Sequence, residues 1–163
     1  MGSNQGDRLA LFTEAVRRLS MTVVNGSMRS SRVYETKPTG PTGDDPFLNA
    51  VIEFQTSWPV AELYQLMQTV ESDLGRRPPR SGPRTIDLDV LFYDNLVQDT
   101  AVLTIPHPRL HERDFVLRPL ADLAPDLVHP VLHRSICDLL DDISGESCII
   151  GVFAPDIPGP DQP

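Results

Sequence analysis

Apolar positions along the chain change period several times, and each change marks an element. Leu9, Phe12, Val16 and Leu19 recur at helical spacing, and Asp7 ahead of them suits a helix N-cap. Residues 28–34 read as a strand, and 37–46, with three prolines and two glycines, as a loop. Over 47–56 the side chains alternate. Leu48, Ala50, Ile52 and Phe54 fall on one face, with Phe47, Asn49, Val51 and Glu53 on the other, as in a strand. Pro59 suits the first turn of a helix, whose apolar stripe of Val60, Leu63, Tyr64, Met67, Val70 and Leu74 stops at Gly75.

The alternation that bears most on chemistry lies at 86–92. Ile86, Leu88, Val90 and Phe92 share one parity, Asp87 and Asp89 the other. On a strand the two acidic Cα atoms stand roughly 7 Å apart, where ionised carboxylates repel by about 2 kcal/mol at an effective dielectric near 20. Positive charge belongs between them. Arg84 has the wrong parity if the strand includes it, and Pro83 sets the strand start later. A divalent cation, Mg²⁺ above all, is the economical partner; a solvated polar face is the plain alternative.

Two further patterns bear on a ligand. The segment 76–84 carries four arginines and three prolines, a charge opposite to that of the chain, and guanidinium forks suit phosphate oxygens. Phe47 and Asn49 point the same way, an aromatic face beside a carboxamide, which suits a flat heterocycle. Gly2 and Gly6 lead into the first helix and could present N–H groups to an anion, although an ordinary capped turn explains them as well.

Downstream, His107 sits between Pro106 and Pro108 on rigid, non-helical backbone. Residues 115–124 read as a short helix strained by Pro119, 135–142 as a last helix, 148–153 as an apolar run of strand length, and 155–163 as a frayed tail rich in Pro, Asp and Gly.

With 163 residues the chain fits a single domain, expected over 1–154. Fourteen Lys and Arg against 23 Asp and Glu give a net charge of −9, which opposes nonspecific binding to nucleic acid or an anionic membrane. Cys137 and Cys148 show neither zinc spacing nor a disulfide framework, so a reducing cytoplasm is the expected location. No apolar run approaches the roughly 20 residues that span a bilayer, and the N-terminus lacks a signal-peptide core.

Taken together, Gly2-Ser3-Asn4, residues 38–40, Phe47-Leu48-Asn49, Gly75-Arg76, the run from Gly82 through Asp89, and Pro106-His107 resemble the hydroxymethyldihydropterin pyrophosphokinase family of folate biosynthesis. The resemblance implies an α+β fold, a ferredoxin-like α/β sandwich with a mostly antiparallel sheet. It implies transfer of pyrophosphate from ATP to the hydroxymethyl group of a reduced pterin, releasing AMP. Two Mg²⁺ ions would be held by Asp87 and Asp89, with Arg76 and Arg84 acting on the moving phosphate. Phe47, Asn49 and Phe115 would bind the pterin, and Gln68, Glu71, His107 and Arg113 would line the ATP site. Partners would be these small molecules, and other enzymes of the folate pathway.

The chain departs from that family in three places. Ser81 stands where tryptophan is common, the arginine loop is shorter, and the apolar strand that normally precedes Gly-Ser-Asn is missing, because Met1 leaves no room for it. Either the recorded start is too late or something compensates; the run 148–153 is the expected substitute. Rival readings are a non-catalytic ATP- or pterin-binding domain and, last, an RNA-binding module, which the net charge and the missing aromatic signature strands oppose.

Overall fold

The computed structural model describes residues 1–38, 45–77, 82–143 and 147–157. The expected loop at 37–46, the arginine-rich segment at 76–84 and the tail at 155–163 therefore fall partly outside the described residues, and Ser81 does so too.

The chain opens with β1 (Gly2–Ser3) and α1 (Arg8–Leu19), followed by β2 (Arg29–Ser30), β3 (Val33–Thr36), β4 (Phe47–Asn49), β5 (Ile52–Glu53) and α2 (Val60–Asp73). A hairpin of β6 (Gln98–Asp99) and β7 (Thr104–Ile105) precedes α3 (Asp114–Leu123), α4 (Ile136–Asp141) and β8 (Ile149–Ala154). Asp7 caps α1 as its sequence suggests, with Oδ1 accepting the Ala10 N–H at 3.1 Å. Pro59 stands one position earlier than expected, at the N-cap of α2 rather than in its first turn. Beyond the other end, Gly75 takes φ 95°, a left-handed conformation that glycine adopts without strain. Ser135 caps α4 in a reciprocal box with Asp138.

The main sheet runs β1-β4-β3-β8, antiparallel throughout, giving a mixed helix-and-strand fold of the α+β kind. The alternation read from 47–56 decides its two faces. Leu48, Ala50 and Ile52 pack with Phe12, Val16, Leu63 and Met67 from α1 and α2, whereas Val51 packs with Leu117, Leu120, Ile136 and Leu139 from α3 and α4. Fully burying an aliphatic or aromatic side chain of this kind is worth roughly 1.5–3 kcal/mol, so the sheet is fixed from both sides.

Five sequence expectations need correction. The strand expected over 28–34 is two, β2 and β3, and the one over 47–56 is likewise β4 and β5. Each breaks where the chain changes partner, at Ser31 and Val51, and these two residues hold each other there. The Ser31 N–H donates to the Val51 carbonyl and the Val51 N–H to Ser31 Oγ, both at 2.9 Å. The segment 86–92 keeps its alternation, with Ile86, Leu88 and Val90 buried, but among the described residues it pairs as a ladder only at Asp87, which exchanges backbone bonds with Gly2. Its partner β1 spans only two residues, so no ladder extends further. The apolar C-terminal run does not lie beside β1. As β8 it pairs with β3, on the opposite edge of the sheet, and a cleft of about 640 Å³ stays open between 51–56 and 88–94. Finally, Ile157, expected in a frayed tail, is only 5% exposed, and its N–H donates to Ser30 Oγ at 3.0 Å.

Candidate active site

On the face of the sheet that carries Phe47 and Asn49, a cavity of about 800 Å³ opens toward the start of α3. Nine of the residues named from the sequence line it: Phe47, Asn49, Arg76, Arg84, Asp87, Asp89, His107, Arg113 and Phe115. Gln68 and Glu71, expected to line an ATP site, are not among the lining residues. Glu71 is 5% exposed and lies behind the wall, at the end of α2.

Sequence-distant segments meet here through reciprocal hydrogen bonds. Asn4 and Arg84 bond reciprocally, Arg84 N–H to Asn4 Oδ1 at 2.8 Å and Asn4 N–H to the Arg84 carbonyl at 3.1 Å. Gly2 and Asp87 exchange N–H···O bonds of 2.9 and 2.8 Å. A Cβ at Gly2 would sit 3.1 Å from Asn49 Oδ1, a close approach that favours glycine there.

Positive charge stands beside Asp87, and it is arginine. Arg84 Nη1 donates to Asp87 Oδ2 at 2.5 Å, while Arg76 Nη1 bonds Asp87 Oδ1, the Ile86 carbonyl at 3.1 Å and Glu71 Oε1 at 2.9 Å. Burial pushes the Asp87 carboxyl upward, but Arg84 and then Arg76 outweigh it and hold Asp87 below the usual carboxylate range. Asp89 differs. It is exposed, and among the described residues its carboxylate makes no hydrogen bond or ion pair. Two carboxylates from alternate positions of one extended segment, the second uncommitted, are a hard-oxygen donor set that fits Mg²⁺ completed by phosphate oxygens. Among the described residues no group of three or more His, Cys, Asp or Glu converges, so the fit depends on ligands brought by a substrate.

The arginines retain unused donors. The Nε–H groups of Arg76 and Arg84 are buried with no hydrogen-bond partner among the described residues, capacity that an anionic ligand can use. Arg84 also lies over the Phe47 ring at 5.2 Å, and Arg113 over the Phe115 ring at 5.6 Å. Burial lowers the affinity of His107 for a proton more than Asp89 raises it, so the imidazole is held neutral at physiological pH. Its Nδ1 accepts the Arg109 N–H at 3.2 Å.

Several lining residues were not read from the sequence. Thr36 ends β3 and its Oγ1 accepts from Asn49 Nδ2 at 2.8 Å, which orients the carboxamide. Cys148 reaches the cavity at the start of β8, and its thiol donates to Asp114 Oδ1 at 2.9 Å; burial, then Asp114, pushes the thiol up to about 12. Neither has a local signature, because both are placed by strand pairing across the sheet.

The cleft joins arginines to an aspartate pair beside an aromatic and amide wall, groups suited to a polyphosphate and a flat heterocycle. Residues 1–125 match the model of the 7,8-dihydro-6-hydroxymethylpterin-pyrophosphokinase family. The chain is 43% identical over 124 residues to the 2-amino-4-hydroxy-6-hydroxymethyldihydropteridine pyrophosphokinase of Bacillus subtilis (strain 168), covering 76% of this chain and 74% of that protein. It is 42% identical over 129 residues to the protein of the same name from Methylorubrum extorquens, covering 78% and 82%. To the folic acid synthesis protein fol1 of Pneumocystis carinii it is 40% identical over 144 residues, which is 88% of this chain. The chain spans about a fifth of the length of the folic acid synthesis proteins it matches. It belongs to the 7,8-dihydro-6-hydroxymethylpterin-pyrophosphokinase family.

Proposed function

We propose that this chain transfers pyrophosphate from ATP to the hydroxyl of 6-hydroxymethyl-7,8-dihydropterin, with Mg²⁺, giving AMP and the pterin diphosphate. The carrying observation is the single cavity that gathers the arginines, the aspartate pair and the Phe47, Asn49 and Phe115 wall.

Asp87 and Asp89 hold the divalent ions in this reading, two of them. Ions so bound would polarise the triphosphate and lower the pKa of the pterin hydroxyl. Arg84 and Arg76 leave Asp87 and turn their forks to the β- and γ-phosphates, where positive charge acts most strongly as the transferring group moves. Asn49, oriented by Thr36, pairs with the edge of the heterocycle, and Phe47 and Phe115 receive its faces. His107 and Arg113 stand on the nucleotide side. Gln68, half-buried on α2, belongs to the nucleotide side only if that site extends beyond the cavity described.

The same reading includes a ferredoxin-like sandwich with an abbreviated first strand, a single domain over 1–154, and a cytoplasmic location with small-molecule rather than nucleic-acid partners. The net charge of −9 supports the last point, and no helix among the described residues is long and apolar enough to cross a membrane. Association with other folate-pathway enzymes also belongs to it.

One observation favours a rival, a non-catalytic binding domain: the Asp87 carboxylate is engaged by two guanidinium groups. AMP release decides between them. Turnover that needs ATP, Mg²⁺ and the pterin alcohol together supports the transferase, and ATP binding without AMP supports the rival.

A further inference from the structure

Glu71 has no place in the cavity wall, yet its carboxylate lies at the point where α2 meets the acidic segment. Oε1 accepts the Leu88 N–H at 2.7 Å and the Arg76 Nη1 donor at 2.9 Å. Leu88 stands between Asp87 and Asp89. Because neighbouring side chains on an extended segment point to opposite faces, fixing the amide at 88 fixes the directions of the carboxylates at 87 and 89 together. Few other contacts can do this. Among the described residues the segment pairs as a ladder only through Gly2 at Asp87, β1 offers no partner beyond it, and the His107 N–H bond to the Leu91 carbonyl at 2.9 Å lies past Asp89. Glu71 is itself held in the last turns of a 14-residue helix whose Leu63, Met67 and Val70 are buried in the core, so its anchor is rigid.

We propose that Glu71 is a positioning residue, whose carboxylate clamps the Leu88 amide from α2 so that Asp87 and Asp89 present their oxygens to one divalent-ion site, and whose second bond parks Arg76 beside that site. The inference rests on the reading of Asp87 and Asp89 as ion ligands. Glu71 touches neither substrate nor ion; its effect passes through the backbone of the segment and through Arg76.

The clamp makes a demand that a space-filling role does not. Glutamine keeps an oxygen at the position of Oε1 and can still accept the Leu88 N–H, whereas aspartate is one methylene shorter and methionine has no comparable oxygen acceptor. The test is Mn²⁺ binding by electron paramagnetic resonance, with a non-hydrolysable ATP analogue present, on the full chain and on E71Q, E71D and E71M. Circular dichroism melts report folding, and fluorescence titration with the pterin alcohol reports the other subsite. Expected is Mn²⁺ affinity within about 3-fold of the parent for E71Q and a loss of about 10- to 100-fold for E71D and E71M, in the range of other second-layer ligand losses. Pterin affinity should stay within about 3-fold of the parent throughout, because no proposed pterin contact changes.

Equal Mn²⁺ affinity in folded E71D and E71Q overturns the clamp. If E71M fails to fold, E71Q against E71D still decides. A parent chain that binds no Mn²⁺ overturns the ion-ligand reading and the clamp with it, whereas a parent that binds Mn²⁺ with variants that do so equally removes only the clamp.

Discussion

Asn4 and Arg84 are joined twice, by the Arg84 N–H on the Asn4 side-chain Oδ1 at 2.8 Å and the Asn4 N–H on the Arg84 carbonyl at 3.1 Å. The clasp fixes the Arg84 backbone while leaving its guanidinium to exchange Asp87 for a phosphate. Arg84→Ala should therefore lower kcat by about 100- to 1,000-fold, the usual effect of losing a transition-state donor, and change pterin affinity by less than about 3-fold. Steady-state kinetics with a pterin titration checks this; equal loss in both quantities contradicts it.

The aspartates differ in their resting partners, and the two substitutions should differ accordingly. Asp89→Ala removes an exposed carboxylate and should lower turnover by at least about 100-fold with little change in melting temperature. Asp87→Ala should reduce turnover as severely and also destabilise the fold, because it strands the Arg84 charge at a partly buried site and leaves Arg76 with the Glu71 carboxylate alone among the described residues. Melting curves beside AMP-release rates separate the two; full activity in either variant removes the ion-ligand role.

Asn49 is 8% exposed and its amide donates to Thr36 Oγ1. Asn49→Ala should weaken the pterin alcohol by about 1–3 kcal/mol, or about 5- to 150-fold, since a buried ligand edge would lose its partner. Equilibrium fluorescence titration measures this, with ATP affinity as the control expected to hold.

The two thiols should react at different rates. Burial, then Asp114, raises Cys148 from an ordinary 9.0 to about 12, so its neutral form is the stable one in the fold. The sign follows: this stabilisation is complete below about pH 9 and is lost as pH rises through about 12. At pH 8.5 iodoacetamide should modify exposed Cys137 at least about 10-fold faster than Cys148, as peptide mass spectrometry can follow. Equal rates contradict the Asp114 contact.

Much of this site was legible locally. The parity of 86–90 separates the buried Ile86, Leu88 and Val90 from Asp87 and Asp89, and the parity of 47–51 aims Phe47 and Asn49 into one cavity. Charge repulsion between the acids foretold positive charge beside them, and Arg76 and Arg84 supply it at Asp87. What stayed hidden depends on long-range pairing. The breaks at Ser31 and Val51 arise from their mutual bonds across the sheet, β8 takes the edge beside β3 rather than the side of β1, and Glu71, set at the ATP site by the family resemblance, turns to the Leu88 amide behind the cavity wall.

Phosphorus NMR of a reaction containing this chain, ATP, Mg²⁺ and 6-hydroxymethyl-7,8-dihydropterin tests the proposed transfer most directly. Expected are equal amounts of AMP and a pterin diphosphate ester that carries the β- and γ-phosphorus of ATP, with neither formed when the pterin or Mg²⁺ is omitted. ADP with a pterin monophosphate, or AMP formed without the pterin, would contradict it.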